Sequence, residues 1–217
     1  MSPGSYRKPL FITLLCTCVL SFSAFSQSYR FRNYDTPDGI PNKFVYSIVQ
    51  DDNGYLWIGT GNGLSKFDGL DFHSIEFPDK SQERYPTASL KDKNGNLWFG
   101  CQDGTVWISE NSVLKQIPAG SQRAIVTIIE GPDRFVYVFP QVEEVIKINP
   151  DDPSDIKPLS LNSGMLVFSA CFTGLGDLLL GTQENITIAG IENDSLTSKG
   201  AISEFDYSSI TAIKRIG

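Results

Sequence analysis

The sequence repeats itself with a period of 41 residues. The stretch Asp51-Asp52-Asn53-Gly54-Tyr55-Leu56-Trp57-Ile58-Gly59-Thr60, followed by Gly63, comes back in register: Asp51 falls on Asp92, Asn53 on Asn94, Gly54 on Gly95, Leu56 on Leu97, Trp57 on Trp98, Gly59 on Gly100 and Gly63 on Gly104. Seven coincidences at one offset mark a repeat, and a period near 41 is the length of a four-stranded β-propeller blade. Inside the repeat, Tyr46-Ser47-Ile48-Val49 has the β-branched and aromatic composition of a strand. Asn53-Gly54 supplies the positive φ that a tight hairpin turn demands.

The period divides the rest of the chain. Phe31 lands on Phe72, Tyr34 on Ile75, Pro37 on Pro78 and Asp38 on Asp79, so Tyr29 to Tyr34 reads as a lone outermost strand of the kind that closes a propeller and hides its sheet edge. Blades are expected at 44–77, 87–117, 125–161 and 166–205. The third is degenerate, with Gly131-Pro132-Asp133 as its turn and Val136-Tyr137-Val138-Phe139 in place of Leu-Trp-Phe-Gly. Ser209-Ile210-Thr211-Ala212-Ile213 repeats the first strand of a fifth blade over 209–217. The expected fold is all-β, an incomplete propeller over 27–217, arising from a shortened product or a truncated reading frame and only marginally stable with its blade faces in water.

Residues 1–26 read as a signal peptide: Arg7 and Lys8, an apolar run from Leu10 to Phe22, then small residues up to Ser26. Neither Cys16 nor Cys18 follows the small residues of a lipoprotein site, and no further membrane span is expected in the mature chain. Cleavage would move the formal net charge from −7 to −9 by removing Arg7 and Lys8, and such an acidic surface repels nucleic acid and anionic membranes. Cys101 and Cys171 sit at different repeat positions, which favours two small buried residues over a disulfide.

A Trp after the turn-proximal Leu, followed by an aliphatic residue and Gly, suits a strand packed between blades, with the Gly permitting close backbone approach. The alternative is a sugar platform; the recurrence of Trp57 and Trp98 at one blade position favours the core. Asp51, Asp52 and Asn53 lack the spacing of a calcium loop and read as turn chemistry. His73, the single histidine, is expected at the surface of an outer strand without a carboxylate in ligand spacing. Asp68 with Asp71 and Glu143 with Glu144 are the candidate acid–base pairs, placed in a turn and a strand where solvated carboxylates are ordinary. The sequence points to no catalytic residue, no metal site and no cofactor.

Asp38-Gly39-Ile40-Pro41-Asn42, Val45 to Asp51, Gly54 to Thr60 and Gly63 to Gly69 together resemble the two-component regulator propeller repeat. The resemblance is specific over Phe31 to Phe72, good over Lys91 to Gly104 and weaker beyond. It implies the periplasmic sensor part of a hybrid two-component system, which in this family usually has two propellers, a β-sandwich, a membrane helix and a histidine kinase, and often responds to oligosaccharides. This chain departs from the pattern in lacking a kinase histidine motif, ATP-binding glycines and a membrane helix after the signal, so no kinase activity is expected of it. The matched residues are structural, and the family's ligand contacts do not carry over. The leading expectation is a glycan-sensing propeller fragment with an oligosaccharide ligand and the remaining blades or a partner chain as its neighbours. The alternatives are an exported interaction module that closes its propeller with a partner, and a propeller lyase or glycosidase fragment.

Overall fold

Each of the first two repeats has a turn that its own side chains build. Asp51 accepts from the backbone N–H of Asn53 at 3.0 Å and of Tyr55 at 2.9 Å, and Gly54 turns the chain at φ +86°. The same turn recurs at Asp92 to Asn96, with Gly95 at φ +87°. At these positions a side chain would be strained, which is why the Asn-Gly pair repeats.

The computed structural model describes residues 31–79, 84–110, 112–161, 165–192, 195–202 and 212–213. The chain divides into the units Met1–Asn33 and Tyr34–Gly217, and the described strands all lie in the second. Sixteen strands, among the described residues, run in four up-and-down groups. Blade one comprises β1 (Val45–Gln50), β2 (Leu56–Thr60), β3 (Gly63–Phe67) and β4 (Phe72–Ile75). Blade two comprises β5 (Pro86–Lys91), β6 (Leu97–Cys101), β7 (Thr105–Glu110) and β8 (Val113–Gly120). Blade three has β9 (Ile125–Glu130), β10 (Val136–Pro140), β11 (Val145–Ile148) and β12 (Ile156–Leu161). Blade four has β13 (Val167–Phe172), β14 (Leu178–Thr182), β15 (Ile186–Glu192) and β16 (Ser195–Ile202).

Neighbouring strands within a blade pair antiparallel. Blades three and four are further joined at their outer edges, where β12 and β16 pair in parallel through Ser160 with Ser195 and Leu161 with Leu196. That joint makes one eight-stranded sheet, in the order β13-β14-β15-β16-β12-β11-β10-β9.

The core lies between blades. Trp57 and Leu64 of blade one meet Phe99 and Trp107 of blade two; Trp98 and Ile108 of blade two meet Ile125 and Val138 of blade three; Phe139 and Val145 of blade three meet Leu178 and Leu180 of blade four. The middle blades are covered on both faces, so every residue of β6 and of β10 is buried. Gly100 lets β6 approach β9 closely, because a Cβ there would collide with Ile125. Gly59 does the same for the joint between blades one and two, where a Cβ would meet Pro86 and Ser47. By contrast β1 has no buried residue, and Phe44, Val45, Tyr46 and Ile48 are exposed.

The segment expected as a lone outer strand is described from Phe31, and Phe31 to Tyr34 carry no strand. Asp35 instead caps a single 3-10 turn, Thr36–Asp38, accepting from the Thr36 N–H at 2.7 Å while Asp38 accepts from the Asp35 N–H at 2.9 Å. Asp and Pro close together favour such a turn over a ladder. Tyr34 packs edge-on against Phe67 and Phe72, at 5.1 and 5.4 Å between ring centres. The expected start of a fifth blade lies outside the described residues except for Ala212 and Ile213, which carry no strand.

Candidate functional site

The two ends of the blades differ in chemistry. One end carries the turns between first and second strands, and there the repeat residues form clasps. Asp51 accepts from the indole Nε1 of Trp57 at 2.9 Å, and Asp92 from that of Trp98 at 2.8 Å. Turn chemistry accounts for only part of what both aspartates do; their second role, anchoring a buried indole, has a visible signal in the constant spacing of six between Asp and Trp. In blade three the first turn position is Gly131, and the carboxylate moves to Asp133, which accepts from Tyr137 Oη at 2.7 Å. A phenol reaches further than an indole N–H, so the acceptor is displaced along the turn. Blade four has Thr173 and Leu179 at these places, and the clasp is gone.

Burial pushes the Asp51 carboxyl up, but the bonds from Trp57, Tyr55 and Asn53 and the Lys66 ammonium hold it below the ordinary carboxylate range. Asp133 behaves alike: burial raises it, and Lys147 at 2.8 Å together with Tyr137 lowers it further than burial lifts it. Buried Trp57 and Trp98 are thus core residues, and neither offers a face to a sugar. Gly63 and Gly104 turn the opposite end of the blades at φ +109° and +83°.

The candidate acid–base residues do not assemble into a catalytic pair. Asp68 accepts from the N–H groups of Asp71 and Leu70, both at 2.8 Å, and its carboxyl is lowered to about 2 chiefly by those bonds. Contrary to the expectation from spacing, a carboxylate does stand beside His73: its Nε2 lies 3.2 Å from Asp68 Oδ2, because the turn from β3 to β4 folds Asp68 back over the strand. Glu143 and Glu144 lie in the exposed loop before β11, which starts at Val145, and not in a strand. The run Val142 to Ile148 looks like one strand because its apolar residues continue across the loop. Cys101 is buried and its thiol pushed up to about 12 by burial, while Cys171 is half-buried; both are free. Among the described residues no group of three or more His, Cys, Asp or Glu is placed to hold a metal ion.

The other end, carrying the turns between second and third strands and the connectors between blades, holds a cavity beside a half-buried tyrosine and an exposed amide. Asn62, in the β2–β3 turn, donates to Pro41 O at 3.2 Å and accepts from Asn42 Nδ2 at 3.0 Å. Across from it stand Arg84 and Tyr85, which with Gly61 and Asn62 enclose a cavity of about 320 Å³. Arg84 is fixed by Asp103 at 2.6 Å and Asp79 at 3.0 Å and lies 5.4 Å over the Trp107 ring. Burial alone would lower the Arg84 pKa, but the two carboxylates raise it, so the guanidinium stays charged. Tyr85 stacks on Tyr46, centres 5.3 Å apart and planes 24° from parallel. A second groove, of about 450 Å³, lies along Gly120, Val142, Glu143, Glu144, Ile146 and Met165. Among the described residues it offers carboxylates and aliphatic groups but no aromatic ring.

Four antiparallel four-stranded blades with buried inter-blade faces place this chain in the β-propeller class. Residues 39–62 match the family model described as two component regulator propeller. It is 36% identical over 61 residues to histidine kinase P4 of Formosa agariphila, a stretch covering 28% of this chain and only 4% of that protein's length. Among solved structures, it resembles the extracellular domain of a putative hybrid two-component system from B. thetaiotaomicron, with 17% identity, 79% of this chain and 32% of the other covered, and a TM-score of 0.53. A virginiamycin B lyase from Staphylococcus aureus, solved with quinupristin, gives 14% identity, 80% and 60% coverage, and a TM-score of 0.61. These structural likenesses show the fold. Among the described residues no helix is long and apolar enough to cross a membrane.

Proposed function

We propose that this chain is an extracytoplasmic sensor module of a two-component regulatory system, that it recognises a glycan, and that it acts without catalysis of its own. The observation that carries this reading is the regulator propeller repeat at 39–62, together with the likeness of a 61-residue stretch to a histidine kinase. Export by residues 1–26 to the periplasm belongs to the proposal and is supported by the charge and apolar pattern of that segment. Loops at one end of rigid blades are where such a scaffold presents a binding surface. Two experiments test the reading. Fusion of residues 1–26 to a reporter active only outside the cytoplasm should give activity, and an inactive fusion would remove the export step. Affinity electrophoresis of the purified chain through gels containing soluble polysaccharides should show retardation by at least one of them; unaltered migration throughout would count against glycan recognition.

A second reading is favoured by the exposed inner strand β1, whose Val45, Tyr46 and Ile48 lie open. A blade face of this kind pairs with another sheet face, supplied by further blades or by a partner chain. Sedimentation at increasing concentration tests it: self-association weakened by Ile48→Ser supports closure between chains, and a monomer at all concentrations argues against a second copy as the partner.

A further inference from the structure

We propose that the turn pair Asn53-Gly54 is a site of spontaneous covalent modification, at which the Asn53 amide is converted to aspartate and isoaspartate, and that the other Asn-Gly pairs of the chain, Asn62-Gly63 and Asn94-Gly95, are shielded from the same change. The chemistry is common to all of them. The backbone nitrogen of the glycine attacks the side-chain carbonyl carbon Cγ of the asparagine. The new N–Cγ bond closes a succinimide ring, the Cγ–Nδ2 bond breaks, and ammonia leaves with the proton that the glycine N–H gives up. Water then opens the ring at either carbonyl. Opening at Cγ leaves aspartate; opening at the main-chain carbonyl leaves isoaspartate, whose main chain runs through the former side chain. Glycine permits the attack because it has no Cβ to obstruct the approach and tolerates the dihedrals that the ring imposes.

What holds each amide is the first difference between the pairs. Asn94 Nδ2 donates to Asp151 Oδ1 at 2.9 Å, and Asn94 Oδ1 accepts from Arg134 Nη2 at 2.7 Å. Asn62 is likewise held at both ends of its amide, donating to Pro41 O at 3.2 Å and accepting from Asn42 Nδ2 at 3.0 Å. In each case both bonds must break before Cγ can swing towards the glycine nitrogen. Asn53 is exposed, and among the described residues its side-chain amide has no hydrogen-bond partner. Its bond to Asp51, at 3.0 Å, is made by the backbone N–H.

Cover and ease of opening make the second difference. The Gly54 N–H donates to Asp51 O at 3.1 Å and the Gly95 N–H to Asp92 O at 3.0 Å, so either turn must open before its nitrogen can attack. Gly95 is half-buried, with the Asp52 carboxylate packed over it, whereas Gly54 is exposed and the nearest atom to a Cβ placed there is Gln50 Nε2 at 3.8 Å. The Asp92 turn leads into β6, which is buried throughout, while β1, which feeds the Asp51 turn, has no buried residue. Local opening costs least where few buried contacts are lost, which favours the Asp51 turn. Modification there reaches the core of blade one. Isoaspartate adds a methylene to the main chain between the Asn53 and Tyr55 N–H groups, both of which donate to Asp51 Oδ1, and Asp51 in turn accepts from Trp57 Nε1 at 2.9 Å. The clasp on Trp57 is thereby loosened.

The test is peptide mapping by mass spectrometry of the full chain after prolonged warm incubation at mildly alkaline pH, folded and in concentrated urea, with isoaspartate scored by a protein isoaspartate methyltransferase. Asn53→Gln and the double variant Arg134→Gly with Asp151→Ala are treated alike, and β-sheet circular dichroism is checked before incubation. In the folded chain the rate at Asn53 should exceed those at Asn62 and Asn94 roughly tenfold, since two hydrogen bonds must break at each of the latter and each is worth a factor of about three. In urea the rates should converge to within about threefold. Asn53→Gln should remove the fast conversion, the double variant should raise the Asn94 rate about tenfold, and the aged chain should melt below aged Asn53→Gln. Conversion at Asn53 that is absent, or no faster than at Asn62 and Asn94, overturns the proposal. The same spread of rates in urea assigns the difference to sequence neighbours and overturns its structural basis, as does an unchanged Asn94 rate in the double variant. A thermal midpoint untouched by ageing overturns the loosening of the clasp.

Discussion

At the scale of single residues, stability depends on how each blade satisfies its buried polar groups. Asp92 is 3% exposed and accepts from Asn94 N, Asn96 N, Asn96 Nδ2 and Trp98 Nε1. Asp92→Ala would leave a buried indole N–H without its acceptor, and we expect a loss of about 1–3 kcal/mol in urea unfolding. Arg134 holds φ +69° where the other blades have glycine, a conformation that costs a side chain roughly 1–2 kcal/mol. Arg134→Gly should therefore stabilise the chain by about 0.5–1 kcal/mol, less the exposed bond to Asn94; a lower thermal midpoint would contradict this. Asp51 and Asp133 both have lowered pKa values in the folded chain. Their contribution is present above the unfolded carboxylate value of about 3.9 and is lost as pH falls through the folded values. The thermal midpoint should hold from neutral pH to about 5 and drop below about 4, and Asp51→Asn should flatten that drop. The turn role of Asp51 and Asp92 is legible because the residues repeat. Their clasp to Trp shows in sequence only as a constant spacing, and the Asp133–Tyr137 clasp has no repeat signal, since acceptor and donor both change in blade three.

Elements show why repetition reveals a blade better than its edges. The strands of blades one and two follow from hairpin turns and recurring Leu-Trp-x-Gly, and blade three keeps the strand pattern after losing both the Trp and the Gly of that motif. What escapes the sequence is local competition and contact between outer strands. Asp35 and Pro37 build a cap and turn where an edge strand is expected, and β12 pairs with β16 through two residues that carry no distinguishing composition. The packing ranks the strands: β6 and β10 are buried throughout, β1 nowhere. Native-state hydrogen exchange should accordingly be slowest in β6 and β10 and fastest in β1 and β4, with blades three and four opening together across the β12–β16 joint. Uniform exchange rates across the four blades would contradict this order.

For the whole molecule, the two ends of the blades differ in what they leave open. The end built on Asp51, Asp92 and Asp133 is occupied by the clasps that hold the indoles and Tyr137. The connector end carries the Tyr46–Tyr85 stack, an oriented Asn62 amide and an arginine paired with two carboxylates, with Asn62, Arg84 and Tyr85 beside a cavity. The repeat and the blade are legible in the sequence; the stacking of Tyr46 on Tyr85 is not, because neither tyrosine belongs to the recurring motif and they meet only when two blades pack. The most direct measurement is hydrogen–deuterium exchange of the full chain with and without an oligosaccharide that it binds. Glycan recognition by loops at one end of the blades predicts slowed exchange in the loops of that end, with the loops of the other end and the buried strands β6 and β10 unchanged. Slowing spread over both ends alike would contradict it.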